Sequence, residues 1–356
     1  MPQRTEKNRC ERMIYLDIIR ILAVFAVIVI HISACEWADL PVASLRWQAL
    51  NLYDAAARWC IPAFVMMSGR AFLDPRKTLK PGTLMKRNVL RMVISLLFWA
   101  TAYHLYEVVL TKGTLDAADL AGGVIGVFTF SARRHLWFLY LMIGLYLLTP
   151  FLRRLTAGRS TRRLTLVSIL LLLVSGITPI ALSALPSYSY MQYVMQVPGF
   201  IGLFILGHLL ERISLSSGAA RGLCLAGLFG MGFTVAATSL LSLHLGTATQ
   251  IFYSNTAPNV VITAVGLLVY GKRRLFTLSL GEKWNGRLAR FSELTFTIYL
   301  IHDFFVIPLD MGTGGFSLNP FPPILSVFVF SFLVFCICTP FAYLICRIPI
   351  LNRYIA

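Results

Sequence analysis

Apolar residues in this chain run on in long stretches instead of alternating with polar ones at a fixed short period. Such stretches recur at Ile21–Ile32, Met92–Ala102, Leu136–Leu148, Leu164–Leu173, Leu223–Ala237, Val260–Val269 and Ile324–Ile337. With their semi-polar flanks they reach the roughly 20 residues a helix needs to span a bilayer. Polar residues in those flanks mark faces turned to a bundle interior. The pattern predicts an all-α, polytopic membrane helix bundle of about ten transmembrane helices. They are expected at 14–35, 49–74, 88–110, 135–152, 164–184, 196–210, 222–243, 255–270, 291–309 and 323–345. They form one integral membrane domain over 1–356, with no attached soluble domain and no internal repeat.

Two connections carry structure of their own. Between Thr111 and Arg134, the stretch from Ala121 to Phe130 is apolar but too short to cross, which predicts a re-entrant or interfacial segment. The basic segment from Gly271 to Arg290 is expected to include a surface helix near Trp284. Pro62, Pro179, Pro198 and Pro308 lie in or beside spans, where neighbours can satisfy the carbonyls a proline frees.

Composition agrees with a membrane protein. Of 356 residues, 57% are hydrophobic and 13% charged, against about a quarter charged in soluble domains. The net charge of +17 raises nucleic acid as a partner, but the basic residues sit in short clusters between apolar stretches. Counting Lys and Arg by expected side gives 24 in the inner segments and 4 in the outer ones. That excess predicts both termini in the cytoplasm. The cysteines show no metal spacing, and a Cys35–Cys60 disulfide near the outer ends of the first two spans is geometrically conceivable. The first span resembles a signal peptide, yet Asp17 and Arg20 intrude on its apolar region and argue against cleavage.

An ionisable side chain in mid-bilayer costs about 2.5–3.5 kcal/mol, so each one needs an account. Arg20 and His31 are three helical turns apart on one face, separated by about 16 Å along the axis. Asp17 can pair with Arg20 at spacing three. Snorkelling of Arg20 to headgroups is the plainer alternative. Lys86, Arg87 and Arg91 open the third span at the inner surface, as lipid anchors or as a cradle for a phosphate-rich ligand. Arg133, Arg134 and His135, followed by Trp137, stand at an outer boundary against the charge bias, which suits an anionic or sugar ligand. Tyr299 and His302, with Asp303 beside them, reach a depth similar to His31. No Gly-x-Ser-x-Gly elbow and no metal constellation is visible in the spacing.

These motifs resemble acyltransferase family 3 membrane proteins. Tyr15-Leu-Asp-Ile-Ile-Arg20 with His31 is similar to that family's first helix, and Ile61-Pro-Ala-Phe-Val-Met-Met-Ser-Gly69 to its second, with Arg70 in place of an aromatic residue. The basic start of the third span, His135-Leu-Trp-Phe-Leu, Thr149-Pro-Phe-Leu, Phe204-Ile-Leu-Gly207 and Ile298-Tyr-Leu-Ile-His302 follow in the family's order. The likeness is strongest to short members that O-acetylate bacterial surface polysaccharides such as enterobacterial common antigen. It implies a multi-pass enzyme of the bacterial cytoplasmic membrane, with cytoplasmic acyl-CoA, acetyl-CoA by default, as co-substrate. The acceptor would be a lipid-linked or surface glycan hydroxyl, and glycan-assembly proteins are further possible partners. Arg20, Lys86, Arg87 and Arg91 would then hold the coenzyme phosphates. His31 would act as general base or acyl carrier, with His302 and Tyr299 orienting it or stabilising the oxyanion. His135, Trp137 and Arg134 would line the acceptor entrance. A glycan exporter or flippase would use the same two mouths without a catalytic imidazole.

Overall fold

A computed structural model describes residues 13–182, 188–275, 281–311 and 321–356, and every regular element in it is helical. The remaining parts of the expected loops, and the side chain of Pro179, lie outside the described residues. Eight helical stretches among the described residues are long and apolar enough to cross a membrane. They are Ile14–Ala34, Pro81–Lys112, Arg134–Thr156, Thr161–Thr178, Ser217–Leu245, Ile251–Leu275, Glu282–Asp310 and Pro323–Arg347. The chain is thus an all-α polytopic membrane protein.

The first helix, α1 (Ile14–Ala34), is the central post. Its apolar residues Ala23, Val24 and Ile28 are fully buried, and most of the helix is enclosed by its neighbours. After it, α2 (Leu45–Ala57) and α3 (Cys60–Phe72) form one rod with a break at Arg58-Trp59. Pro62 explains the break: it has no N–H for the Arg58 carbonyl and its ring crowds that group. The charge left at the bend is satisfied, because Arg58 pairs with buried Asp54 at 2.7 Å and lies 4.2 Å over the Tyr253 ring.

Next, α4 (Leu90–Lys112) begins with a π turn, Leu84–Val89. The Ala121–Phe130 region forms the short helix α5 (Ala117–Phe128), started by a capping box of Asp116 and Asp119. It lies along α4, with Gly123 against Thr101, and leaves Ile125 and Phe128 exposed. Lys112 holds the Asp119 carboxyl below the usual carboxylate range by a 2.7 Å hydrogen bond. A 3₁₀ turn, Arg134–Leu136, leads into α6 (Trp137–Thr156), followed by α7 (Thr161–Leu182) and α8 (Tyr188–Arg212).

The last third contains α9 (Ser217–Leu245), α10 (Pro258–Tyr270), α11 (Glu282–Ile301), α12 (Asp303–Asp310), α13 (Pro323–Arg347) and α14 (Pro349–Tyr354). The backbone at His302 keeps right-handed helical angles, so α11 and α12 continue as one rod. Among the described residues, the helix near Trp284 is continuous with the span and not separate from it. Gly281, at φ +79°, starts α11 nine residues before the expected span, and Trp284 sits exposed on its first turns beneath Arg287.

Glycines set the closest crossings. A Cβ on Gly69 would lie 1.8 Å from the Phe204 carbonyl oxygen, and one on Gly207 would lie 1.8 Å from that of Met66. Neither helix of the α3–α8 pair could carry a larger residue there, which is the small-residue packing that membrane helices favour. Cys35 and Cys60 are free thiols, so the conceivable disulfide between them is not formed.

Candidate active site

Arg20 and His31 stand on α1, and α11 supplies their partners in matching register. Arg20 Nη1 donates to Ser292 Oγ at 2.9 Å and pairs with Asp17 at 3.3 Å. At the other end, the His31 and His302 rings approach to 5.0 Å between centroids. The steps from Arg20 to His31 and from Ser292 to His302 are eleven and ten residues, or about 16 and 15 Å of helix rise. Two parallel helices so matched present a cation at one end of a shared face and imidazoles at the other.

His135 completes a triangle. Its ring lies 6.0 Å from that of His31 and 5.1 Å from that of His302, with Tyr103 against it at 4.9 Å. Both His135 and His302 are buried. His302 Nδ1 is 2.7 Å from the Tyr299 carbonyl oxygen, which makes Nδ1 the protonated nitrogen and leaves Nε2 with its lone pair. That Nε2 is buried and has no hydrogen-bond partner among the described residues.

Asp303 supplies the negative charge. Its Oδ2 lies 3.2 Å from His135 Nδ1 and accepts from Arg133 Nε at 2.6 Å. The His135 contact is a close approach without hydrogen-bond alignment. Arg133 is a hub: it also donates to Glu107 at 2.8 Å and to Asp310 at 3.3 Å. Burial opposes the charge of Arg133, but Asp303 and the other carboxylates outweigh it and raise its pKa, so it is a fixed cation. This accounts for an arginine against the charge bias at this boundary.

Several expected placements change. His135 is at the centre of the cluster, not at an entrance, because the 3₁₀ turn Arg134–Leu136 points its ring inward. Trp137 faces away, packed 5.7 Å from Phe200, and Arg134 is exposed, so neither touches the histidines. The Tyr299 hydroxyl donates to the His135 carbonyl. It is therefore committed to holding the turn, while the Tyr299 carbonyl orients His302.

At the inner end, Lys86 and Arg87 are exposed on the π turn, and Arg91 lies inward of them. Spacing four would align Arg87 with Arg91 on an α-helix, but i→i+5 bonding widens the turn and separates them. Arg91 donates to the Ala356 carbonyl and stands 5.5 Å over the Phe296 ring. Tyr146, buried on α6, lies beside Ser68 and within electrostatic reach of Arg20 and Arg91.

Sequence spacing showed no metal constellation, yet folding brings ligand atoms of His31, His302 and Asp303 within 4.8 Å of one another. This donor set suits a divalent ion in type, but Arg133 already occupies Asp303 with a full positive charge, which repels a cation there. Three adjoining imidazoles beside a paired carboxylate suit proton transfer better than cation binding. Asp303 and Arg133 are the members of the candidate site that sequence spacing underweights. The signal for them was the unexplained outer arginine, whose charge needs carboxylates nearby.

Residues 13–343 match the family model described as an acyltransferase domain. No curated protein and no solved structure matches the chain.

Proposed function

The chain belongs to acyltransferase family 3, and from that premise we propose that it moves an acetyl group from acetyl-CoA to a glycan hydroxyl across the bacterial cytoplasmic membrane. The observation that carries the proposal is the register of α1 against α11, with Arg20 at one end and the His31–His302–His135 cluster at the other. An anionic donor entering from the basic inner end would meet Lys86 and Arg87 first and Arg20 next, through charge-assisted contacts to its phosphates. Its thioester arm would extend along the face of α11 toward His31. Arg91 is deeper and already partnered, so it would border this path.

In the transfer, an imidazole nitrogen of His31 takes the proton of the acceptor hydroxyl as its oxygen attacks the thioester carbonyl carbon. The tetrahedral intermediate collapses, the C–S bond breaks, and the coenzyme thiolate leaves with the proton from His31. The buried lone pair of His302 Nε2 can accept a hydrogen bond from His31 while that ring is cationic. Asp303, held by Arg133, stabilises the transient positive charge on the cluster. The acceptor is a lipid-linked or surface glycan reaching the cluster from the outer side.

The experiment replaces His31 by Gln, which keeps a polar side chain but takes no proton at neutral pH. A positioned general base contributes about 10²–10⁴ in rate. The variant should insert normally and bind acetyl-CoA, while surface glycan is made in full amount without its ester. A polysaccharide exporter would show the reverse, with glycan lost from the surface and the ester content of the remainder unchanged. Arg87→Ala and Arg20→Ala should weaken acetyl-CoA binding in purified protein, and retained binding in both would overturn the donor path.

A further inference from the structure

Away from the histidines, a partly enclosed cavity of about 480 Å³ lies among the ends of α1, α3, α8 and α10 and the turn after α10. Every lining segment belongs to the end of the bundle where α1 starts. Neither Arg20, Lys86, Arg87 nor any member of the histidine cluster lines it. Its volume falls within the range of small-molecule sites, about 300–1,000 Å³.

The cavity is two-faced. Its apolar side includes Met66, Met67, Leu268 and Val269, and its rim includes Arg70, Arg212, Lys272 and Arg273 against one carboxylate, Glu211. That carboxylate holds the rim in shape: it lies 2.9 Å from Arg70 and 3.9 Å from Lys272, and accepts from the Tyr15 hydroxyl at 2.8 Å. Arg212 and Arg273 have only neutral hydrogen-bond partners among the described residues: the Arg159 carbonyl for the first, Ser216 and Ser217 for the second. Among the described lining residues, a single carboxylate against four cations leaves the rim positive. The backbone contact of Gly207 with Met66 makes the floor rigid.

We propose that this cavity is a second ligand site, taking a phosphate-bearing amphiphile with its phosphate on Arg70, Arg212, Lys272 and Arg273 and its chain on Met66, Met67, Leu268 and Val269. A neutral ligand would leave the excess charge uncompensated, and a free inorganic anion would leave the apolar side unused. An anionic phospholipid and the acyl-CoA donor both carry this chemistry, and the test separates them.

Full-length protein in detergent is titrated with dioctanoyl phosphatidylglycerol, with dioctanoyl phosphatidylcholine as the zwitterionic control, and with coenzyme A. Wild type should bind phosphatidylglycerol at least tenfold more tightly than phosphatidylcholine. The double variant Lys272→Gln/Arg273→Gln should lose that preference, while coenzyme A binding through Arg20 and Arg87 is unchanged. Loss of coenzyme A binding alone in the same variant supports the site with the donor as its occupant. Met67→Trp, which fills the cavity without touching the rim charges, carries the test if the double variant does not fold. If neither variant alters binding of either ligand, or wild type binds neither, the proposal is overturned. The histidine-centred acyl transfer stands or falls separately, on the ester content of the His31→Gln strain.

Discussion

At the residue scale, the candidate site is built around a buried carboxylate, Asp303, paired with Arg133. Asp303 meets His135 and Arg133 on the same oxygen, so removing either neighbour has different consequences. Asp303→Asn keeps the shape but withdraws the negative charge from three imidazoles. It should lower acyl transfer by about 10²-fold or more, within the range for a positioned acid–base group, while donor binding persists. Unchanged ester yield in a well-expressed Asp303→Asn strain would count against any charge-stabilising role. Arg133→Ala instead strands a buried carboxylate, a loss of about 3–5 kcal/mol in typical buried pairs. Thermal unfolding should therefore come markedly earlier in Arg133→Ala than in Arg133→Lys, which keeps a cation at reduced geometry. Equal melting of the two variants would show that the ion pair does not support the fold. Part of this chemistry was legible in the sequence: helix periodicity alone puts Arg20 and His31 on one face. The role of His135 was not, because its direction depends on a 3₁₀ turn that leaves no periodic signature, and that of Arg133 depends on carboxylates from two other helices.

At the element scale, long apolar runs determine that helices form, and special residues determine how they bend and meet. The rod of α2 and α3 reads as one span, yet Pro62 divides it at Arg58. The π turn Leu84–Val89 is invisible to a 3.6-residue period and moves Arg91 away from Lys86 and Arg87. The α3–α8 crossing is the most sharply specified contact, since Gly69 and Gly207 each meet the other helix's backbone. Gly207→Val would place carbon inside the van der Waals radius of the Met66 carbonyl, and backbone cannot yield as a flexible side chain would. The helices must separate, disturbing both the cavity beside Met66 and the position of Ser68 against Tyr146. We expect Gly207→Val to reduce the folded, monodisperse fraction on size-exclusion chromatography severely, with Gly144→Val as the control, because Gly144 faces open space. Similar yields from the two variants would show that the α3–α8 contact is not close in the membrane.

At the scale of the whole molecule, direction matters most, because the proposed acyl transfer across a bilayer needs the basic mouth and the histidine cluster on opposite sides. The membrane class was plain from composition, whereas orientation rests on the 24-to-4 imbalance of Lys and Arg between segments. The fold is compatible with that vector. Arg153, beyond the middle of α6, donates to the Phe72 and Asp74 carbonyls, which ties the end of α6 to the end of α3 on the basic side. The outer arginine that breaks the bias, Arg133, is neutralised by Glu107, Asp303 and Asp310 and so contributes little net positive charge to its side. Gly158, at φ +67° between α6 and α7, and Gly113, at φ +75° between α4 and α5, are open positions where a reporter can be inserted without meeting a neighbour. A reporter at Gly158 should read cytoplasm and one at Gly113 the opposite side. The two positions are separated by α5 and the single crossing of α6, so they must differ whatever the absolute orientation. Opposite readings with Gly158 outside would invert the molecule and place Arg20 on the far side from acetyl-CoA, which would sink the proposed direction of transfer. Identical readings would instead mean that α6 does not cross, and the separation of donor mouth from histidine cluster would fail with it.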